Sequence, residues 1–124
     1  MNATLERRAV RAVRDYAHWH AEVDRLKVAI GGCVCPREVM TEYGPTGTSC
    51  FAEARLEEIP AGPMPDDGSK PVPLSWIAKK VVDCPECTRL CVLIAERREA
   101  KKQRGISKRR VRQVGKLVAR SEEP

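Results

Sequence analysis

A chain of 124 residues with a net charge of +6 is long enough for one ordinary domain and too short for two. Only Tyr16, Trp19, Tyr43, Phe51 and Trp76 are aromatic, so any core is mostly aliphatic, and a core this small gains much from a metal or a partner. The longest apolar run, Leu90 to Ala95, is far below a membrane span, and no apolar stretch follows Glu6-Arg7-Arg8; neither a transmembrane helix nor a signal peptide is expected, and the expected location is the cytoplasm.

Residues 5 to 30 read as one long helix. Ala9, Tyr16, Val23 and Ile30 recur every seven residues, and Leu5, Ala12, Trp19 and Leu26 form a second series offset by three. The charged side chains fall off this narrow seam, which must close against another helix. That helix is either a later one of this chain or a second copy in a homodimer. Asn2 or Thr4 is the expected cap, and Gly31-Gly32 the expected end. His18 and His20 project about 200° apart on a helix and cannot share a metal.

From Gly31 to Phe51 the pattern is irregular, with a short hairpin: Arg37 to Tyr43 extended, a turn at Gly44-Pro45-Thr46-Gly47, and a return from Thr48. Ala52 to Ile59 suits a short helix. Pro60 to Pro73 holds five of the nine prolines and reads as a linker or long loop. Ser75 is the expected cap of an ordered element over Trp76 to Val82. A helix then runs from about Glu86 to Lys102, Gly105 permits a break, and Ile106 to Arg120 resumes helical spacing through Val111, Val114, Leu117 and Val118.

The charge is unevenly placed. From Arg97 to Arg120 there are 11 Lys and Arg against one acid, Glu99, while the rest of the chain sums to −4. A mildly acidic body, residues 1–95 with its linker at 60–75, would thus carry a basic helical tail, residues 96–124. Such an excess of one sign points to a polyanion rather than a merely solvated face, which would mix Glu with Lys. Lys101, Lys102, Arg104, Lys108, Arg109, Arg110, Arg112 and Lys116 are the candidate nucleic-acid contacts, through phosphates and largely without sequence reading. With few aromatics available, base stacking on single strands is disfavoured.

Six cysteines in a reducing compartment point to metal rather than to disulfides. In Cys84-Pro85-Glu86-Cys87, two thiolates two residues apart can face one ion, while the intervening backbone N–H groups donate to sulfur. Cys33 and Cys35, in the Gly-rich loop after the first helix, are the first candidates to complete a tetrahedral zinc site. Cys50 is an alternative to either, and Cys91 reads as a buried small hydrophobe. The expected fold is therefore mainly α, a long N-terminal helix packed on a C-terminal helix, clasped by a cysteine-ligated zinc site with a short hairpin loop.

Three resemblances attach to these residues. Cys84, Cys87 and Cys91 with one upstream cysteine, followed by a basic tail, loosely resemble the WhiB-like regulators; that implies a four-iron cluster, although the trio is more closely spaced here and the Gly-Trp-Gly-Gly turn is missing. Val81 to Cys87 ahead of a helix is similar to the active site of glutaredoxins, with Cys84 as attacking thiolate, but the strand-helix-strand frame is absent. The C-x-C-P and C-P-x-C turns with the basic ending at Gly105 to Arg120 resemble small zinc-knuckle proteins of unknown function from actinobacterial phages, which implies an intracellular regulatory product acting by binding. No other catalytic constellation is present, and an enzyme is not expected. The alternatives to nucleic-acid binding are a protein-binding module, such as a phage factor attaching to a host protein or transcription machinery, and a structural or assembly component of a phage particle.

Overall fold

The computed structural model describes residues 3–56 and 73–121, and among these there are four helices and one two-stranded hairpin. The expected cap Asn2, the end of the Ala52–Ile59 helix and nearly all of the proline-rich linker lie outside the described residues. None of the described helices is long and apolar enough to cross a membrane. The chain divides into two compact units: Met1–Val28 with Glu96–Pro124, and Ala29–Ala95. One division falls at residues 95/96, where the basic tail was expected to begin, while the first helix groups mainly with that basic segment.

The first unit is a helical hairpin. Helix α1 spans Ala3–Gly31, so Thr4 lies inside it, and α4 spans Pro85–Ser121. Leu5, Ala12, Val23 and Leu26 are buried, with Ala9, Tyr16 and Trp19 half-buried between them, as the heptad spacing predicts. Their cover on α4 repeats every seven residues as well: Ala100, Ser107 and Val114 are buried. Ala12 packs with Val114, while Leu26 lines one hollow with Ala100, so the helices run antiparallel. Trp19 lines the same hollow as Leu26, against Glu99 and the small Ala100 of α4. The seam closes within one chain, and complete burial of Leu26 alone contributes about 1.5–3 kcal/mol.

Gly105 does not interrupt α4. It sits inside the continuous helix with nothing within 4 Å of where a Cβ would lie. A glycine costs a helix only about 1 kcal/mol, which the packed seam on either side of it, Ala100 and Ser107, offsets.

The second unit gathers short elements around a small core. Strands β1 (Val39–Thr41) and β2 (Gly44–Thr46) pair antiparallel with Thr41 opposite Gly44, so the turn is Glu42-Tyr43 rather than the expected 44–47 segment. Pro45 is tolerated in β2 because a two-stranded ribbon has open edges where its missing donor costs nothing. Gly47 serves another purpose: it adopts φ +90°, and a Cβ there would meet the Arg37 carbonyl oxygen at 2.7 Å. Helix α2 (Cys50–Leu56) is capped by Ser49, whose hydroxyl accepts the Ala52 N–H at 3.0 Å. Helix α3 (Leu74–Lys80) starts after Pro73 without a side-chain cap, so Ser75 is a residue of its first turn and not its cap. The Lys80 ammonium lies 5.0 Å from the centre of the Trp76 ring, on the same face of α3. Cys35, Ala54, Ile77, Val81, Cys87 and Cys91 form the buried core of this unit, with Phe51 and Leu74 packed against it.

Candidate metal centre

Four cysteines converge in the second unit: Cys35, Cys50, Cys84 and Cys87, with all four sulfurs within 4.8 Å of one another. The Cys35 sulfur lies 3.8 Å from that of Cys50 and 3.8 Å from that of Cys84. A tetrahedron with metal–sulfur bonds of about 2.3 Å has edges of about 3.8 Å, so the spacing fits a single ion held by four thiolates. It is far too long for a disulfide, whose sulfurs stand about 2.05 Å apart, and all six cysteines are free. A four-iron cluster, with each cysteine on a different iron, would hold its sulfurs further apart than one ion does. Cys91 is not in the set; it is buried in the apolar core one turn beyond Cys87. The trio that a WhiB-like cluster requires is therefore not assembled.

Local structure explains each ligand position. Cys84 stands just before α4, and its carbonyl accepts the Thr88 N–H at 2.9 Å, so it is the N-cap, with Pro85 in the first helical position where a missing N–H costs nothing. Cys87 follows in the first turn of α4. The entry to α4 is pinned by Val81, whose carbonyl accepts the Cys84 N–H at 2.8 Å and the Thr88 hydroxyl at 3.2 Å. Cys50 opens α2. Cys35 begins a tight turn in which its carbonyl accepts the Glu38 N–H at 2.9 Å.

Cys33, expected as a ligand, is not part of the cluster. Its thiol faces back toward the end of α1 and donates to the Ala29 carbonyl at 3.5 Å. The loop that leaves α1 aims only one member of the C-x-C pair inward, and Cys50, brought in by α2, takes the fourth corner. The hairpin returns the chain so that Cys50 meets Cys35, a closure that spacing alone does not reveal.

The electrostatics of the cluster favour a bound cation. Cys35 is lowered to about 7, chiefly by the backbone N–H of Cys50, with a further N–H from Arg37, against the opposing effect of burial. Cys87 is pushed up to about 12 because it is buried, although the Phe51 N–H donates to it. Cys50 is also raised: the Arg37 guanidinium, 3.8 Å from its sulfur, favours the thiolate, but desolvation and the neighbouring Cys35 and Cys84 outweigh it. The same guanidinium is ion-paired with Glu53, which anchors the turn that begins at Cys35 to α2. The Cys35 thiolate forms readily while Cys50 and Cys87 resist ionisation, a conflict that a divalent ion at the centre removes. These residues can hold a metal ion, and four sulfur ligands leave no open position on it for substrate.

The sequence-predicted cationic residues all lie on the α4 part of the helical hairpin. Lys101, Lys102, Lys108, Arg109, Arg110, Arg112 and Lys116 are exposed and Arg104 is half-buried on the seam. Among the described residues none of the eight takes part in an ion pair. The hairpin unit carries 17 basic and 8 acidic residues, a balance of +9, and the cysteine unit 6 basic and 9 acidic, a balance of −3. Comparison with protein-family models, curated proteins and solved structures finds no match to this chain.

Proposed function

We propose that this protein is a zinc-stabilised nucleic-acid-binding module of a regulatory kind, in which the metal is structural and the helical hairpin grips phosphates. Zinc is the preferred ion because a closed, tetrahedral, four-thiolate set suits it and it brings no redox chemistry to a site that has no open position. The observation that carries the reading is the segregation of charge: +9 on one unit, −3 on the other, with none of the eight candidate cations of α4 ion-paired among the described residues. Unpaired cations of one sign on a rigid helix attract a polyanion and release its counterions on binding.

The test is binding of the full chain to duplex DNA and duplex RNA between about 50 and 200 mM salt, beside a variant with Lys101, Lys102, Lys108 and Arg109 changed to Gln. If all eight cations engage phosphates, log K falls against log salt with a slope of about −7, and the variant loses about half of that slope. A chain ending at Ala95 is the wrong comparison, because it removes the cover from Leu5, Ala12, Val23 and Leu26. A second reading, a protein-binding module, rests on the apolar hollow of about 200 Å³ lined by Ala9, Val13, Val111 and Val118 beside exposed Val10 and Leu117. Salt-independent or absent nucleic-acid binding would leave that reading in place of the first.

A further inference from the structure

The charge distribution along the sequence points to α4 alone, but the packed hairpin adds a second set of arginines. On one side of the α1–α4 seam a cleft of about 430 Å³ opens, floored by Ala12 and Val114. Arg8 and Arg11, one turn apart on α1, line it from one side; Arg110 and Gln113, one turn apart on α4, line it from the other. Asp15 is the one acid in its wall, and no ion pair forms between it and any of the three arginines. The cleft thus holds three guanidinium groups against one carboxylate in a single concavity, a balance of +2. Arg7, Arg11 and Arg14 line a neighbouring hollow on α1 with Glu6 and Asp15, still a positive balance, and Arg109 and Arg112 are exposed on α4 near Arg110.

We infer that this cleft is a seat for the phosphodiester backbone of a duplex nucleic acid, with Arg8, Arg11 and Arg110 as its contacting residues. Three features select this occupant. The cations of the cleft are all arginines, whose planar fork matches phosphate oxygens two at a time, where a lysine offers only a point charge. The positive field continues past the cleft on both helices, which suits a repeating anion better than an isolated one. No aromatic side chain lines it to stack an unpaired base, which favours a duplex over a single strand. This inference rests on the nucleic-acid reading above and adds α1 to the binding surface.

The experiment compares four full-length chains on the same duplex DNA and duplex RNA across a salt series: the parent, R8Q/R11Q, R8K/R11K, and K27Q/R89Q, which removes the same charge at exposed positions outside the cleft. Circular dichroism checks that each keeps its helices. R8Q/R11Q is expected to bind on the order of 10- to 100-fold more weakly at about 100 mM salt and to lose about 2 from the salt slope, with K27Q/R89Q close to the parent. R8K/R11K is expected to fall several-fold while keeping its slope, because it retains charge and loses the fork. Equal losses in R8Q/R11Q and K27Q/R89Q would overturn the cleft while leaving general nucleic-acid binding intact. A parent chain that binds neither duplex would overturn the cleft together with the reading on which it rests. Preference for one duplex over the other identifies which backbone the cleft takes.

Discussion

Exchanging Cys50 for Ser should cost the protein its metal, and exchanging Cys33 for Ser should not. Structural zinc binds thiolate-rich sites with about 10 to 16 kcal/mol at neutral pH. The four sulfurs of Cys35, Cys50, Cys84 and Cys87 stand within 4.8 Å of one another, so each ligand carries about a quarter of this, or about 2.5 to 4 kcal/mol. Cys50→Ser is therefore expected to weaken affinity by about 10² to 10³. If the ion is structural, as proposed, the same loss appears as stability of the second unit: a thousandfold drop at saturating metal removes about 4 kcal/mol, a large part of what a small domain has. Cys33→Ser removes a single weak contact to the Ala29 carbonyl at a half-buried site, for which a change within about 0.5 kcal/mol is expected. Competition with a chromophoric chelator measures the affinities, and thermal melting with and without chelator measures the linkage. If Cys33→Ser loses the metal as Cys50→Ser does, or if Cys50→Ser keeps it, the assignment of the fourth ligand is refuted.

Metal affinity should fall as pH is lowered, and more steeply below neutrality. Above about 7 the Cys35 thiol is already ionised, whereas Cys87, at about 12, must release its proton to the ion at any neutral pH. Each displaced proton weakens apparent affinity about tenfold per pH unit, so titration from pH 8 to pH 6 should show the slope increase by about one proton as Cys35 becomes protonated. Gly105→Ala should stabilise the hairpin by about 0.5–1 kcal/mol, because the position is helical with open space around it; a lower melting temperature would show that α4 does bend there. Gly47→Ala should destabilise the second unit by about 1–3 kcal/mol and weaken metal binding with it, since the new methyl meets the Arg37 backbone in a conformation with φ +90°. Leu26→Ala should cost about 2–5 kcal/mol in the hairpin, seen as a loss of cooperative helix melting, while chelator competition at the cysteine site stays near the parent value.

The helical seam was legible because it is a local, repeated property. Leu5, Ala12 and Leu26 recur at a period that only one face of a helix can satisfy, and burial follows that period residue by residue. The C-P-x-C turn was legible for the same reason, since two residues of separation leave Cys84 and Cys87 little freedom to face different ways. Single-residue signals were weaker guides. Gly105 and Ser75 carry the preferences of a breaker and a cap, but a preference of about 1 kcal/mol yields to the packing on either side of it. Likewise Gly44-Pro45-Thr46-Gly47 has turn composition, yet pairing of Thr41 with Gly44 places the turn three residues earlier and leaves Gly47 to the close approach of Arg37.

The sequence by itself determined that this chain is mainly helical, that a long seam must be covered, that cysteines from both halves offer ligands, and that positive charge is concentrated near the end. Each of these follows from composition or from short-range periodicity, which the chain carries wherever its parts are placed. Only the tertiary structure decided that α4 covers the seam of α1, that Cys50 rather than Cys33 completes the four sulfurs, and that Arg8 and Arg11 share a cleft with Arg110. These pairings join residues 15 to about 100 positions apart, and at such separations the partner is selected by how helices pack and loops return, a choice no local pattern records.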